Sequence, residues 1–181
     1  RVGNAVVRNL VRRRIRGVLR MHSWARGFSM VMEGEGGKSV QELHAPSSIC
    51  FGCGPSNKDG LKIRSFRGEN GLEMEFTPTE EHQAFPGMIN GGIIGTLLDC
   101  HGNWTAAIAL MDRSGTTEPP CTVTASYSIK LRRPTPFGET LSITGEVIEI
   151  WEDRARVMMV LSANDKVCAT GEGLFVAVNE G

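Results

Sequence analysis

No apolar run in this sequence approaches the ~20 residues of a membrane span, so it offers no candidate for a spanning helix. There is no internal repeat and no low-complexity segment, which leaves no sign of a repeat architecture. Net charge is missing as well, since 20 Lys and Arg balance 20 Asp and Glu. That balance hides an asymmetry. Eight arginines (Arg1, Arg8, Arg12, Arg13, Arg14, Arg16, Arg20 and Arg26) precede the first acid, Glu33. The remainder carries 12 basic residues against 20 acidic ones, and so acidic a body is a poor nucleic-acid binder. Five cysteines, an odd number, do not make a disulfide framework in a chain this long and fit a reducing compartment better. Cys50 and Cys53, in ICFGCG, have the spacing of a metal or redox pair. A zinc site needs about four ligands, yet no second CxxC or HxxxH follows and His44 is the only nearby candidate. Cys100, Cys121 and Cys168 stand singly. A thioredoxin-like pair wants its first cysteine at a helix N-terminus, but Gly54-Pro55 follows directly. The motif reads as a structural turn.

What is present suits one domain. The 181 residues, 40% hydrophobic and 22% charged, can bury a single sizeable core. Val7, Leu10, Val11, Ile15 and Val18 recur at helical spacing against the arginines, the pattern of an amphipathic basic helix. Residues 1–38 are therefore expected to be a basic arm and glycine-rich linker. The arm is a candidate mitochondrial or plastid targeting segment, or else a surface arm of an intracellular, otherwise cytoplasmic, protein. Only Ser23 and Ser29 precede Glu33, few for a transit peptide. Residues 39–181 are expected to form the domain.

The segment SVQELH predicts a short helix. LKIRSF and GLEMEF predict a hairpin around Gly68-Glu69-Asn70-Gly71, with an Asn-Gly turn signal. A long helix is expected from about Gly91 to Met111, followed by four strands in 121–131, 139–151, 154–163 and 166–178. In the first of these, Val123, Ala125, Tyr127, Ile129 and Leu131 share one face by simple alternation, opposite Thr124, Ser126, Ser128, Lys130 and Arg132. Two strands, one helix and four strands make an α+β domain in which the sheet wraps the only long helix.

That helix is unusual. Gly92, Gly95, Thr96, Gly102, Asn103 and Ala106 fall within about 60° of Asp99 on its surface. Large apolar residues (Ile93, Ile94, Leu97, Trp104, Ile108, Met111) lie opposite. A glycine costs a helix about 1 kcal/mol relative to alanine, so a small-residue stripe around a carboxylate suggests close approach of a ligand or another backbone. Asn90 is a favoured N-cap. The Gly91 and Gly92 amides, free of intrahelical acceptors, are candidates to hold an anion or polarised carbonyl. Seven residues separate Gly92 from Asp99, about 10 Å along the axis, too far for both to serve one carbonyl in one chain. A two-fold dimer would bring the turn of one copy to the carboxylate of the other. His101 points away from Asp99 and reads as a core histidine.

HQAFPGMINGGIIGTLLD followed by VTASYSIKLRRPTPFGE resembles the hotdog-fold acyl-CoA thioesterases of the PaaI-like group. These have a His-Gly-Gly turn opening the central helix and an aspartate nine residues after the histidine; Asn90-Gly91-Gly92 and Asp99 match that spacing. Thr124, ten positions before Pro134, matches a hydroxyl residue of the later strand, and CFGCGPSNKDGLKIRSF looks like their upstream segment. The resemblance implies an antiparallel sheet around one central helix and hydrolysis of an acyl-CoA or related acyl thioester. It also implies a homodimer, or a dimer of dimers, and neither metal nor redox cofactor. By the same resemblance the Gly92 amide holds the thioester carbonyl, Asp99 of the neighbouring copy is base or nucleophile, and Thr124 positions water. Asn90 stands where the family has histidine and cannot carry a proton as imidazole does. Ala84 replaces an asparagine of some members, with His82 and Gln83 as nearby polar candidates. Lys130, Arg132 and Arg133, at a strand end, are candidates to meet the phosphates of a CoA-like carrier. The rival reading is a non-catalytic acyl-thioester-binding protein of the same fold.

Overall fold

The β-branched and aromatic runs after Pro120 form the body of a sheet. A computed structural model of the protein describes residues 37–178, and the basic arm expected in 1–36 lies outside the described residues. The four runs become β5 (Thr122–Leu131), β6 (Leu141–Ile150), β7 (Arg154–Ala163) and β8 (Lys166–Ala177). With β1 (Phe66–Gly68) and β2 (Gly71–Phe76) they make one antiparallel sheet in the order β1-β2-β6-β7-β8-β5. β7 and β8 join through Asn164 and Asp165, both at positive φ, as a two-residue hairpin turn requires. A separate ribbon, β3 (Gln83–Phe85) and β4 (Met88–Ile89), turns at Pro86-Gly87 and was not expected.

The first hairpin turns at Gly68-Glu69-Asn70-Gly71, as expected, but its two central residues are Glu69 and Asn70 rather than Asn-Gly, and neither has positive φ. It also differs from the sequence expectation in length. Its first strand begins only at Phe66. Residues 61–65 are held by other partners: Leu61 N–H donates to the Phe51 carbonyl, Ile63 N–H to the Gly52 carbonyl, and Ser65 N–H to Gln41 Oε1. The Gln41 partner sits on α1 (Val40–His44), the short helix expected from SVQELH, closed by a Ser39–Glu42 capping box.

The sheet curls around α2 (Gly91–Ser114), capped by Asn90 and ended by Gly115 in the left-handed region. This is the α+β architecture expected. Ile94, Leu97 and Leu98 are buried against a sheet face that includes Leu141, Ile143, Val157, Met159, Leu161 and Phe175, while Ile108 and Met111 are buried with Leu72 and Val40. Burial of each such side chain contributes about 1.5–3 kcal/mol. The small-residue stripe divides in two. Gly102 and Ala106 belong to the sheet side: Ala106 is fully buried, and a Cβ on Gly102 would lie 2.7 Å from Met159 Sδ and 2.8 Å from Phe175 Cζ. Gly102 lets the helix settle onto its own sheet. It does not form a surface for another molecule.

His101 is the core residue the sequence suggests. It is fully buried, its Nε2 3.1 Å from the Leu72 carbonyl and its Nδ1 2.9 Å from Ser65 Oγ. The carbonyl can only accept, so Nε2 carries the proton and Nδ1 accepts from the Ser65 hydroxyl. Burial lowers its pKa to about 4, against the opposing pull of the Leu72 carbonyl. An unfolded histidine takes its proton near pH 6.5, before the folded one, so stability is full above that pH and falls as pH drops towards 4. A shift of that size corresponds to about 3 kcal/mol. Urea midpoints measured across this window should fall more steeply for wild type than for His101→Gln; parallel curves would contradict the assignment.

Candidate active site

One ridge of α2 lies along β5, and the two run antiparallel. A Cβ on Gly91 would meet Leu131 Cδ1 at 3.6 Å, and one on Gly95 would meet Ile129 Cδ1 at 3.7 Å and the Tyr127 hydroxyl at 3.9 Å. Next along the ridge, Thr124 Oγ1 donates to Asp99 Oδ1 at 2.8 Å. Last, Thr122 Oγ1 donates to Asn103 Oδ1 at 2.9 Å, and Asn103 Nδ2 donates to the Thr122 carbonyl. The four-residue spacing of Gly91, Gly95, Asp99 and Asn103 is one helix row. The two glycines face the molecule's own edge strand, at distances where a Cβ would make only ordinary contact.

Simple alternation would put Thr124 and Tyr127 on opposite faces of β5. Both face the helix, because the register against β8 shifts between Thr124 and Ser126, with Ala125 the extra residue of a β-bulge. The bulge aims the Thr124 hydroxyl at Asp99 and keeps the larger side chains packed on Gly91 and Gly95.

Asp99 is half-buried and opens on a cavity of about 550 Å³. The cavity is also lined by Thr124, Trp104, His44 and three cysteines, Cys50, Cys53 and Cys100. The Sγ atoms of the three lie within 4.8 Å of one another. Cys100, one residue beyond Asp99, stands alone in the sequence; only the folded chain shows that the CxxC loop sits upon it. The Cys53 thiol is lowered, first by its hydrogen bond with Cys100 and then, against burial, by the Trp104 indole N–H at 3.3 Å. Cys100 is pushed up by the same bond.

At the helix start, the arrangement corrects one expectation. Asn90 Oδ1 accepts the Gly92 N–H at 2.7 Å, so that amide already has a partner. Asparagine at an N-cap commonly takes the amide two or three residues on. The Gly91 amide, in the first turn, has no intrahelical acceptor. Asn90, Gly91 and Gly92 are all exposed, and none lines the cavity of Asp99.

His82 and Gln83 support this turn. The His82 carbonyl accepts the Asn90 N–H, its Nδ1 accepts the Thr79 N–H, and its ring packs 5.4 Å from that of Phe76. Gln83 Oε1 accepts the Gly87 N–H at 2.7 Å. Both order the loop that delivers Asn90. Of the basic candidates, Arg132 Nε donates to Thr170 Oγ1, and the Arg132 and Arg133 amides share the Cys168 carbonyl. Lys130 alternates with the helix-facing Leu131, which puts it on the outer face of the sheet. The structure therefore brings Asp99 and Thr124 together, and separately Asn90, Gly91, Gly92, His82 and Gln83.

No family model and no curated protein matches the sequence. Solved structures do. A thioesterase superfamily protein of Shewanella loihica is 30% identical, over 69% of this chain and 98% of its own, with a TM-score of 0.56. A second thioesterase superfamily protein is 25% identical over 71% of this chain and 60% of its own, with the same score. The PaaI protein of the Escherichia coli phenylacetic acid degradation operon is 17% identical over 66% and 81%, with a score of 0.55, a likeness of fold. An antiparallel sheet wrapped on one central helix is the hotdog architecture, and this chain belongs to the thioesterase superfamily. No helix among the described residues is long and apolar enough to cross a membrane.

Proposed function

We propose that the protein hydrolyses an acyl-CoA or related acyl thioester, with Asp99 as the group that activates water or attacks the carbonyl. The observation that carries this reading is the Asp99 carboxylate itself, half-buried at a cavity and held through one oxygen by Thr124. Fixing Oδ1 leaves Oδ2 to take a proton or to attack. The acyl oxygen is received at the start of α2 by the Gly91 and Gly92 amides, where hydrogen-bond donors and the helix dipole favour developing negative charge. Gly92 N–H serves only when Asn90 Oδ1 releases it. The turn and Asp99 are about 10 Å apart along the axis. A homodimer, alone or paired again, would combine the turn of one copy with the carboxylate of the other. In support, β5 ends the sheet and leaves Val123, Tyr127 and Leu131 exposed. Lys130, Arg132 and Arg133 then serve a carrier's phosphates from the strand end.

The occupied Gly92 amide also favours a second reading, an acyl-thioester-binding protein without hydrolysis. Thiol release from a panel of acyl-CoAs separates them: release supports the hydrolase, and tight binding without release supports the binder. Asn90→Asp tests the turn. Aspartate caps about as well as asparagine, so thermal stability should hold. Its charge would oppose the developing oxyanion, and kcat should fall about 10–100-fold, below the loss on deleting an oxyanion donor. Co-expressing Asn90→Asp with Asp99→Asn tests the sharing. Each mixed dimer regains one unaltered site, so activity should recover to about a quarter of wild type. Mixtures no more active than either parent would mean that each site lies within one chain.

A further inference from the structure

We infer that Cys50, Cys53 and Cys100 form a thiolate site for a zinc ion, with its fourth coordination position open to the cavity that Asp99 lines. The inference stands apart from the hydrolase reading and needs only the convergence of three sulfurs from two segments. Cys50 Sγ is 3.9 Å from Cys100 Sγ, and all three Sγ atoms lie within 4.8 Å of one another. Zn–S bonds of about 2.3 Å in a tetrahedron separate the sulfurs by about 3.8 Å, so small side-chain rotations close the three onto one metal.

The loop is shaped to hold this arrangement. The Gly54 N–H donates to the Cys50 carbonyl at 2.9 Å and closes a tight turn around the pair. A Cβ on Gly54 would stand 2.5 Å from the Cys50 nitrogen, and one on Gly52 would collide with Cys100 Sγ. Both glycines of CFGCG are therefore needed to lower the turn onto the helix. Hydrogen bonds from Leu61 and Ile63 to the Phe51 and Gly52 carbonyls fix the turn from behind. A structural turn explains the Cys50–Cys53 spacing but not a third sulfur from α2 meeting it, nor the Trp104 N–H aimed at Cys53 Sγ. That N–H is the kind of outer-shell donor that tunes a metal–thiolate bond.

Three thiolates select a soft or borderline metal over magnesium or calcium. Among the described residues no fourth donor joins the cluster. Three protein ligands with an open position is the pattern of a zinc ion that takes water or an exogenous ligand. A free thiol is an exogenous ligand of matching softness.

Reduced protein titrated with zinc against a chromophoric chelator, and with cobalt(II) as a spectroscopic probe, tests the site. One equivalent should bind per chain, with a thiolate-to-cobalt charge-transfer band and the intense d–d bands of tetrahedral cobalt. Cys50→Ser alters an exposed loop position, so apoprotein melting should be unchanged while zinc affinity falls at least about 100-fold, the upper range for losing an outer-shell partner. Trp104→Phe should weaken binding by about 10-fold through loss of its N–H. Weak octahedral cobalt bands, wild-type zinc affinity in Cys50→Ser, or a Cys50–Cys100 disulfide that survives reductant would each overturn the assignment.

Discussion

Asp99→Asn should abolish nearly all thioester hydrolysis and leave the fold in place. Asparagine has the shape of aspartate, and its carbonyl oxygen can still accept the Thr124 hydroxyl bond now made to Oδ1. What changes is the second position, where an NH2 group replaces an oxygen that could take a proton or attack. Both forms of the mechanism lose their reacting atom. Removing a positioned general base typically costs 10²–10⁴-fold, so kcat for thiol release should fall by at least about 100-fold. KM should move little, because the lost contact acts mainly in the transition state. A variant with wild-type kcat would remove Asp99 from the chemistry and leave the resemblance as one of fold. Thr124→Val is the graded companion: the carboxylate remains but loses its anchor, and the rate loss should be smaller than for Asp99→Asn.

The positions of Asp99 and Thr124 were legible in the sequence, but the reason they meet was not. Helix α2 announced itself through the Asn90 N-cap and the spacing of its apolar residues, both local signals. The hydroxyl of Thr124 points at Asp99 only because β5 bulges at Ala125, and the bulge is a property of its pairing with β8. Unbroken alternation from Val123 to Leu131 hides it. The same distance in sequence hid the cysteine cluster, because Cys100 looks solitary until the loop carrying Cys50 and Cys53 folds down beside it. At Asn90 the local signal is plain: an N-cap asparagine takes an amide of the first turn, and here it takes Gly92. The stripe of small residues was real but served two neighbours. Gly91 and Gly95 face β5 at ordinary contact distance, while Gly102 is what lets the helix close onto β7 and β8.

The same close approach sets the largest stability effect, at Gly145 on β6. Gly145→Ala should destabilise the protein by about 3 kcal/mol, the upper range for overpacking a filled core. A Cβ there would collide with Thr105 Oγ1 and stand 3.2 Å from His101 Cδ2 and Nε2. Neither neighbour is free to yield. Thr105 Oγ1 donates to the His101 carbonyl at 2.8 Å, and the His101 ring is held between Ser65 Oγ and the Leu72 carbonyl. The strand would have to leave the helix, pulling on β2 and β7, which pair with β6 on either side. Against a typical total of about 5–15 kcal/mol, such a loss should show clearly in urea or thermal unfolding. Thr105→Ala removes the nearest clashing atom, so the double variant should recover part of the loss, a coupling that a double-mutant cycle reads directly. Gly95→Ala supplies the contrast. Its Cβ would meet Ile129 Cδ1 at an ordinary 3.7 Å, and alanine favours the helix by up to about 1 kcal/mol. If Gly145→Ala proved as mild as Gly95→Ala, the helix would not be pressed onto β6 as closely as the His101 network requires.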